Sequence, residues 1–311
     1  MVQGKHQSPN RFQSSISESL GHGSLVIIWD LVIGILFITF ASGVDISGAR
    51  MDIIVCIKQV VVGDQVKIDP QTHSLVRSAE FSRINPFDLF TLDMAVQLKK
   101  EYSGSITAIT MGPKISEEVL WKALAIGADR AVLLSDSRFA ASDTLATSYV
   151  LGMGIRKIGK FDLILCGMRT TDSDTAQVGP QLAEELDIPH ITGVEKLEKK
   201  KNLFRVERVS DGFREILEVS IPSLFTISPK AVVRLPSLIE IQDAFTKYSI
   251  ECWNLEDLNA DPTKVGSGGS CTRVEELIPI AQQKSCIFIE GDPRQQAKSL
   301  LSKLIEKSLL S

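Results

Sequence analysis

The stretch GMRTTDSDTAQV, residues 167–178, places four hydroxyls, two carboxyls and one guanidinium within twelve positions. The hydroxyls of Thr170, Thr171, Ser173 and Thr175, with the cation of Arg169, suit a diphosphate better than a base. Gly167 lets the chain turn sharply where the apolar run DLILC (162–166) stops. Asp174 and Thr175 are helix-capping types, and the first N–H groups of a helix are donors without intrahelical partners, which favours phosphate. Asp172 and Asp174 oppose a bare anion unless they face ribose hydroxyls or cap the helix. The residues therefore admit two readings, a nucleotide cradle or a polar crossover loop whose acids only cap. Pro180 sits either in the first turn of a helix begun after Gly179 or as a kink in one begun at Thr175.

Such a loop has to be held at the edge of a sheet. DIIVCI (52–57), SITAIT (105–110), AVLLS (131–135) and DLILC are short runs rich in Val and Ile, as buried strands are. Between them Phe87, Phe90, Met94 and Leu98 share one helix face. Further helices are predicted over 116–126, ending at Gly127, and over 142–158, ending at Gly159. The alternation predicts an α/β fold with a doubly wound parallel sheet, Rossmann-like and, if the loop at 167–178 is a nucleotide cradle, adenine-nucleotide-binding. In such sheets ligands lie beyond the carboxyl ends of the strands. That edge includes KQVVVGDQVKIDP (58–70) and Met111-Gly112-Pro113. In INPFDLF (84–90), Asn85 suits an N-cap, Pro86 the first helical position and Asp88 the positive helix end. That is a structural reading unless the helix start also faces the ligand.

After His190 the alternation ends, and LFRVERVSDGFREILEVSIPSLFTIS (203–228) predicts two antiparallel strands around the Asp211-Gly212 turn. Residues 229–272 show little periodicity, and DPTKVGSGGSCT (261–272) reads as an exposed loop. PRQQAKSLLSKLIEKSLL (293–310) reads as an amphipathic helix. The expected organisation is an N-terminal extension (1–50), a nucleotide-binding α/β domain (51–228), and an extended arm with a terminal helix (229–311), for which a partner chain is one candidate support. SLVIIWDLVIGILFITFASGV (24–44) is nearly long enough to span a bilayer but contains Asp30. An over-extended start, with Met51 as the true beginning, is favoured over a membrane anchor.

Composition narrows the chemistry. The net charge of −4 comes from mixed signs with no basic block, which argues against nucleic acid. The five cysteines form no C-x-x-C pair and the four histidines show no ligand spacing, so no metal site is expected. The cysteine pattern suits a reducing, cytoplasmic setting. SGGS (267–270) follows no strand and GMG (152–154) lies inside a helical pattern, so neither counts as a phosphate loop. No nucleophile–histidine–acid set is evident, so catalytic side chains are not expected.

KIDPQTHSLVRSAEFSRINPFDLF (67–90), ITAITMGP (106–113), ALAIGADRAVLLSD (123–136) and residues 162–186 together resemble the electron-transfer flavoprotein β subunit. VERVSDGFREILEVSIPSLFT (206–226) and VGSGGSCTRV (265–274) extend the resemblance to about 51–311. It implies a heterodimer with an α subunit, around which the arm wraps, and an electron carrier rather than a stand-alone enzyme. It also implies nucleotide contacts at Cys56, Asn85, Pro86, Phe87, Asp88 and Met111, and at Gly167, Met168, Arg169, Thr170, Thr171, Asp172, Ser173, Asp174, Thr175, Ala176, Gln177 and Val178. DPQTHSLVR, ITMGP and DSDTAQVGP resemble the electron-bifurcating members, in which this site holds FAD and takes hydride from NADH. One electron would then pass to ferredoxin or flavodoxin, the other through the α-subunit FAD to an acyl-CoA or hydroxyacid dehydrogenase. The chain departs from that pattern at KQVVVGDQ (58–65), at Ser173 and in KAVVRLPSL (230–238), which keeps Arg234. The alternatives are a structural AMP in a one-flavin carrier, or a stand-alone adenine-nucleotide-binding regulator.

Overall fold

The computed structural model describes residues 16–20, 23–30, 35–41, 50–61, 82–229, 233, 235–273, 275 and 286–310, with backbone alone over 16–41 and at 61 and 82. The motif KIDPQTHSLVR (67–77), most of the loop 58–70 and Arg234 lie outside the described residues. Strands β1 (Ile16–Leu20), β2 (Gly23–Asp30) and β3 (Ile35–Ala41) form an antiparallel sheet of their own. The apolar run 24–44 thus falls largely on two strands. Among the described residues no helix is long and apolar enough to cross a membrane.

The elements that follow are β4 (Met51–Cys56), β5 (Gln59–Val61), β6 (Ser82–Ile84), α1 (Pro86–Tyr102), β7 (Gly104–Met111), α2 (Glu117–Ile126), β8 (Arg130–Leu134), α3 (Thr144–Ile158), β9 (Leu163–Gly167) and α4 (Val178–Leu186). After them come β10 (His190–Lys200), β11 (Leu203–Ser210), β12 (Phe213–Ser220), β13 (Ser223–Ile227), α5 (Leu238–Lys247), β14 (Ile250–Trp253), α6 (Leu255–Leu258) and α7 (Gly266–Gly269). The main sheet runs β12-β11-β10-β13-β9-β4-β7-β8-β14. Its neighbours are parallel except in the β10–β11 and β11–β12 pairs.

The alternation of side chains along a strand divides the core between two faces. On β4, Met51, Ile53 and Val55 pack with Leu92 and Leu98 of α1 and with Leu120 and Leu124 of α2. Ile54 and Cys56 join Val150 and Leu151 of α3 and Leu182 of α4 on the opposite face. β9 repeats the division, with Leu163 and Leu165 on one side and Ile164 and Cys166 on the other. Helices therefore cover both faces of a mostly parallel sheet, as the doubly wound reading expects. From β4 the chain builds through β7 and β8 in one direction, then returns to lay β9 on the other side. The switch in strand order falls between β4 and β9.

Three elements differ from the sequence reading. His190–Lys200 is a strand whose apolar positions Ile191 and Val194 are masked by the Lys/Glu run that follows. The segment 203–228 is more than a hairpin: β11 and β12 pair around Asp211-Gly212, and Ser223–Ile227 rejoins the parallel sheet beside β9. Within 229–272, α5 places Phe245 on Trp121, with ring centroids 4.7 Å apart, and β14 becomes the edge strand beside β8. The stretch 261–272 is not a free loop. Val265 is buried, and Gly266, at φ +59°, lies so close to Arg138 that a Cβ would stand 2.2 Å from its carbonyl oxygen. Residues 274–311 form a separate unit, which contains α8 (Pro293–Glu306), opened by an Asp292/Gln295 capping box.

Candidate functional site

The carboxyl ends of β4, β7 and β9 carry Cys56, Met111 and Gly167, and the start of α1 lies beside them. Cys56 and Cys166 are in-register partners on adjacent strands, both buried. The Cys166 thiol is held well above its usual range, first by its hydrogen bond with Cys56 and then by burial. This pair forms the floor of the switch point.

Asn85 occupies the N-cap position of α1, with Pro86 next, but its side chain does not cap the helix. Its Nδ2 donates to Asp88 Oδ1 at 2.9 Å and to the Arg169 carbonyl at 2.9 Å. The expected local role is thus replaced by a tie between α1 and the loop after β9. The Asn85 Oδ1 is buried and has no hydrogen-bond partner among the described residues. A buried amide oxygen without a donor is costly, and a bound group with an N–H or O–H would satisfy it. The carboxylate of Asp88 Oδ2 accepts the Lys58 N–H at 2.7 Å, and a Cβ at Gly167 would stand 2.2 Å from Oδ1. The glycine is required there because these side chains already fill the space beside its Cα.

The loop from Gly167 to Val178 is mostly open to solvent beyond Thr170. Its Asp172 faces the protein: the Lys58 ammonium lies 2.8 Å from Oδ2, and the Ser173 N–H donates to Oδ1 at 2.7 Å. Burial works to raise the Asp172 pKa, but the hydrogen bond and charge of Lys58 outweigh it and hold the carboxyl low. Thr170 and Ser173 hydroxyls meet at 3.0 Å, and the Asp174 N–H donates to the Thr170 carbonyl at 3.1 Å. The Arg169 guanidinium lies over the Phe87 ring at 5.2 Å and 3.5 Å from Asp174, which leaves it half exposed. Met168 is fixed through its N–H to the Ile227 carbonyl at 3.1 Å.

The sequence left two starts for the next helix, and α4 begins at Val178, with Pro180 in its first turn. Gln177 takes the N-cap position, so neither Asp174 nor Thr175 caps. Asp174 (φ 50°) and Ala176 (φ 56°) instead hold left-handed backbone, a strain of order 1–3 kcal/mol each that clusters at ligand sites. The bends lead directly into the unpartnered N–H groups at the start of α4. Gln177 is steadied by the Thr144 hydroxyl at 3.0 Å, at the start of α3.

Of the sequence-derived residues, Asn85 and Asp88 of α1 are joined by hydrogen bonds to each other and to the Arg169 carbonyl and the Lys58 N–H, and Phe87 meets Arg169 through its ring. Met111 ends the neighbouring strand and packs with the core beneath. Lys58 and Thr144 were missed. The only signal for Lys58 was a cation placed directly after a strand. Thr144 had none, because its link to Gln177 spans 33 positions. A buried acceptor without a donor among the described residues and an open polar loop entering a helix fit an adenine nucleotide or dinucleotide.

Residues 72–253 match the electron transfer flavoprotein domain, and the chain belongs to that family. Its likeness within the family is to β subunits. It is 38% identical over 261 residues to the electron transfer flavoprotein subunit beta of Thermoanaerobacterium thermosaccharolyticum, covering 84% of this chain and 100% of that protein. It is 40% identical over 265 residues to the caffeyl-CoA reductase-Etf complex subunit CarD of Acetobacterium woodii, covering 84% and 100%. It is also 38% identical over 266 residues to the protein FixA of Azotobacter vinelandii, covering 82% and 94%.

Proposed function

We propose that this chain is the β subunit of a cytoplasmic electron-carrying heterodimer and that the crevice between β4 and β9 holds FAD. The observation that carries the reading is the buried Asn85 Oδ1, without a donor among the described residues at the switch point, together with the left-handed Asp174 and Ala176 that lead into α4. FAD supplies the redox chemistry when bound. The chain's own residues do the positioning. Asn85 and Gly167 fix the depth of the site, and the backbone before α4 with the Arg169 cation suits the phosphates. Lys58 holds Asp172 in place on the loop that covers the site. NADH is the proposed electron donor. Ferredoxin or flavodoxin takes one electron, and an acyl-CoA or hydroxyacid dehydrogenase takes the other through the α subunit. The relative within a caffeyl-CoA reductase-Etf complex supports a partnership of this kind.

The assembly also has surface to cover. Leu238, Ile239 and Phe245 on α5 are exposed, as are Leu300, Leu301 and Ile305 on α8. A stand-alone regulator would have no use for so much open apolar surface, and the α subunit is the proposed cover. The test is the nucleotide content of the heterodimer purified after co-expression. Two FAD and no AMP, with NADH-driven ferredoxin reduction, are expected. One FAD and one AMP would reduce the protein to a one-flavin carrier.

A further inference from the structure

Asp88 was expected to touch the ligand, yet its carboxylate is engaged within the protein. It accepts the Lys58 N–H after β4 and the Asn85 amide at the start of α1, and its Oδ1 packs against Gly167 at the end of β9. These three segments frame the crevice. Among the described residues Asp88 is the only buried carboxylic acid. An ionised carboxylate offers an acceptor to each of the two donors, whereas the neutral acid turns an O–H toward one of them.

We propose that Asp88 is a positioning residue: its ionised form assembles the crevice, so nucleotide binds the deprotonated protein preferentially. This rests on the reading that the crevice holds a nucleotide. Every element packed against Asp88 presents a charged or titratable group. β4 leads into Lys58 and ends with Cys56, β9 brings the Cys166 thiol, and Asp172 of the loop is tied to the Lys58 ammonium. Burial pushes the Asp88 carboxyl up to about 7, against the lowering effect of Lys58, Asn85 and Gly167, so the change falls in the neutral range. The adjoining Asn85 is drawn into the same network through Asp88 and Arg169, so losing the Asp88 charge loosens the loop as well as the floor.

The experiment is equilibrium binding of FAD, and separately of AMP, to the purified heterodimer at pH 6, 7 and 8. Bound nucleotide is counted after ultrafiltration, for wild type and Asp88→Asn. The AMP phosphate itself titrates near pH 6, so the difference between wild type and variant is what is read. The wild-type Kd is expected to weaken about tenfold from pH 8 to pH 6, as linkage to one proton requires. Asp88→Asn is expected to bind more weakly at pH 8 and to show a flat profile. A wild-type Kd constant within about twofold, or a variant with wild-type affinity and profile, overturns the inference and leaves the nucleotide site standing. Absence of binding at every pH overturns both. Should Asp88→Asn fail to fold, the wild-type FAD profile decides alone.

Discussion

The two ends of the central strands use one device with different consequences. At the amino edge, Asp162 accepts the Asp52 N–H at 2.8 Å and Asp129 accepts the Ile106 N–H at 2.9 Å, each carboxylate tying one strand to its neighbour. Asp52 accepts the Ser105 hydroxyl at 2.6 Å and faces Arg50 at 3.3 Å. The Asp52 and Asp129 side chains stay open to water, at 39% and 38% exposed. At the carboxyl edge Asp88 does for Lys58 what Asp162 does for Asp52, but Asp88 is only 4% exposed. Solvation makes the first ties inexpensive. Burial makes the second costly and titratable near neutrality. A protein that keeps a costly carboxylate at a switch point is spending stability on arrangement.

The largest effects should come from filling the two edges. An alanine Cβ at Gly167 would stand 2.2 Å from Asp88 Oδ1, and one at Gly104 would stand 2.0 Å from the Met51 carbonyl oxygen. Each substitution is expected to destabilise the chain by about 1–3 kcal/mol or more in urea unfolding. Only Gly167→Ala should also remove nucleotide, by more than about 100-fold in retention, because its collision displaces the residues that shape the crevice. Equal nucleotide loss in both variants, at a temperature where both remain folded, would erase the contrast between the edges.

The effect of pH is smaller on nucleotide retention but comparable on stability. The Asp88 carboxyl titrates at about 7 in the folded chain against 3.8 as the unfolded reference, so the folded state binds the extra proton. Its contribution to stability is therefore fully present below about 3.8 and is lost as pH rises through about 7. Three pK units correspond to roughly 4 kcal/mol. Nucleotide-free heterodimer should lose up to that amount of unfolding free energy between pH 4 and pH 8, and Asp88→Asn should not. Asp129→Ala removes the corresponding tie at the amino edge. It is expected to cost about 1 kcal/mol and to leave nucleotide retention unchanged.

The same contrast explains what the sequence made legible. Strands β4, β7, β8 and β9 are buried on both faces, so their Val/Ile runs stand out, and Gly127 and Gly159 close the helices between them. β10 and β14 were hidden because edge position and charge dilute the pattern: His190–Lys200 carries five Lys or Glu at its end, and Ile250–Trp253 is four residues long. In the site, the hydroxyl-rich loop announced itself by composition. The roles within it did not. Asn85 looked like a helix cap because capping is read from neighbours in sequence, whereas its partner Arg169 is 84 positions away. Asp174 and Thr175 looked like caps for the same reason, until Pro180 and the left-handed bends moved the helix start to Val178.

The smallest expected effect separates two lysines that look alike in sequence. Lys58 holds Asp172 at 2.8 Å on the carboxyl edge, and Lys99 holds Asp129 at 2.5 Å on the amino edge. Both pairs are partly exposed, so removing either lysine should cost only about 0.2–1 kcal/mol of stability, less at high salt. The difference lies in what the carboxylate does when released. Asp129 still reaches the Ile106 N–H without Lys99. Asp172 without Lys58 becomes an uncompensated charge on the loop proposed to lie against phosphates, and like charges repel. Lys58→Ala should therefore weaken nucleotide retention severalfold, most at low ionic strength, while Lys99→Ala leaves it untouched. Equal retention by the two variants in 20 mM and 500 mM salt would make the Lys58 pair as purely structural as its counterpart at the amino edge.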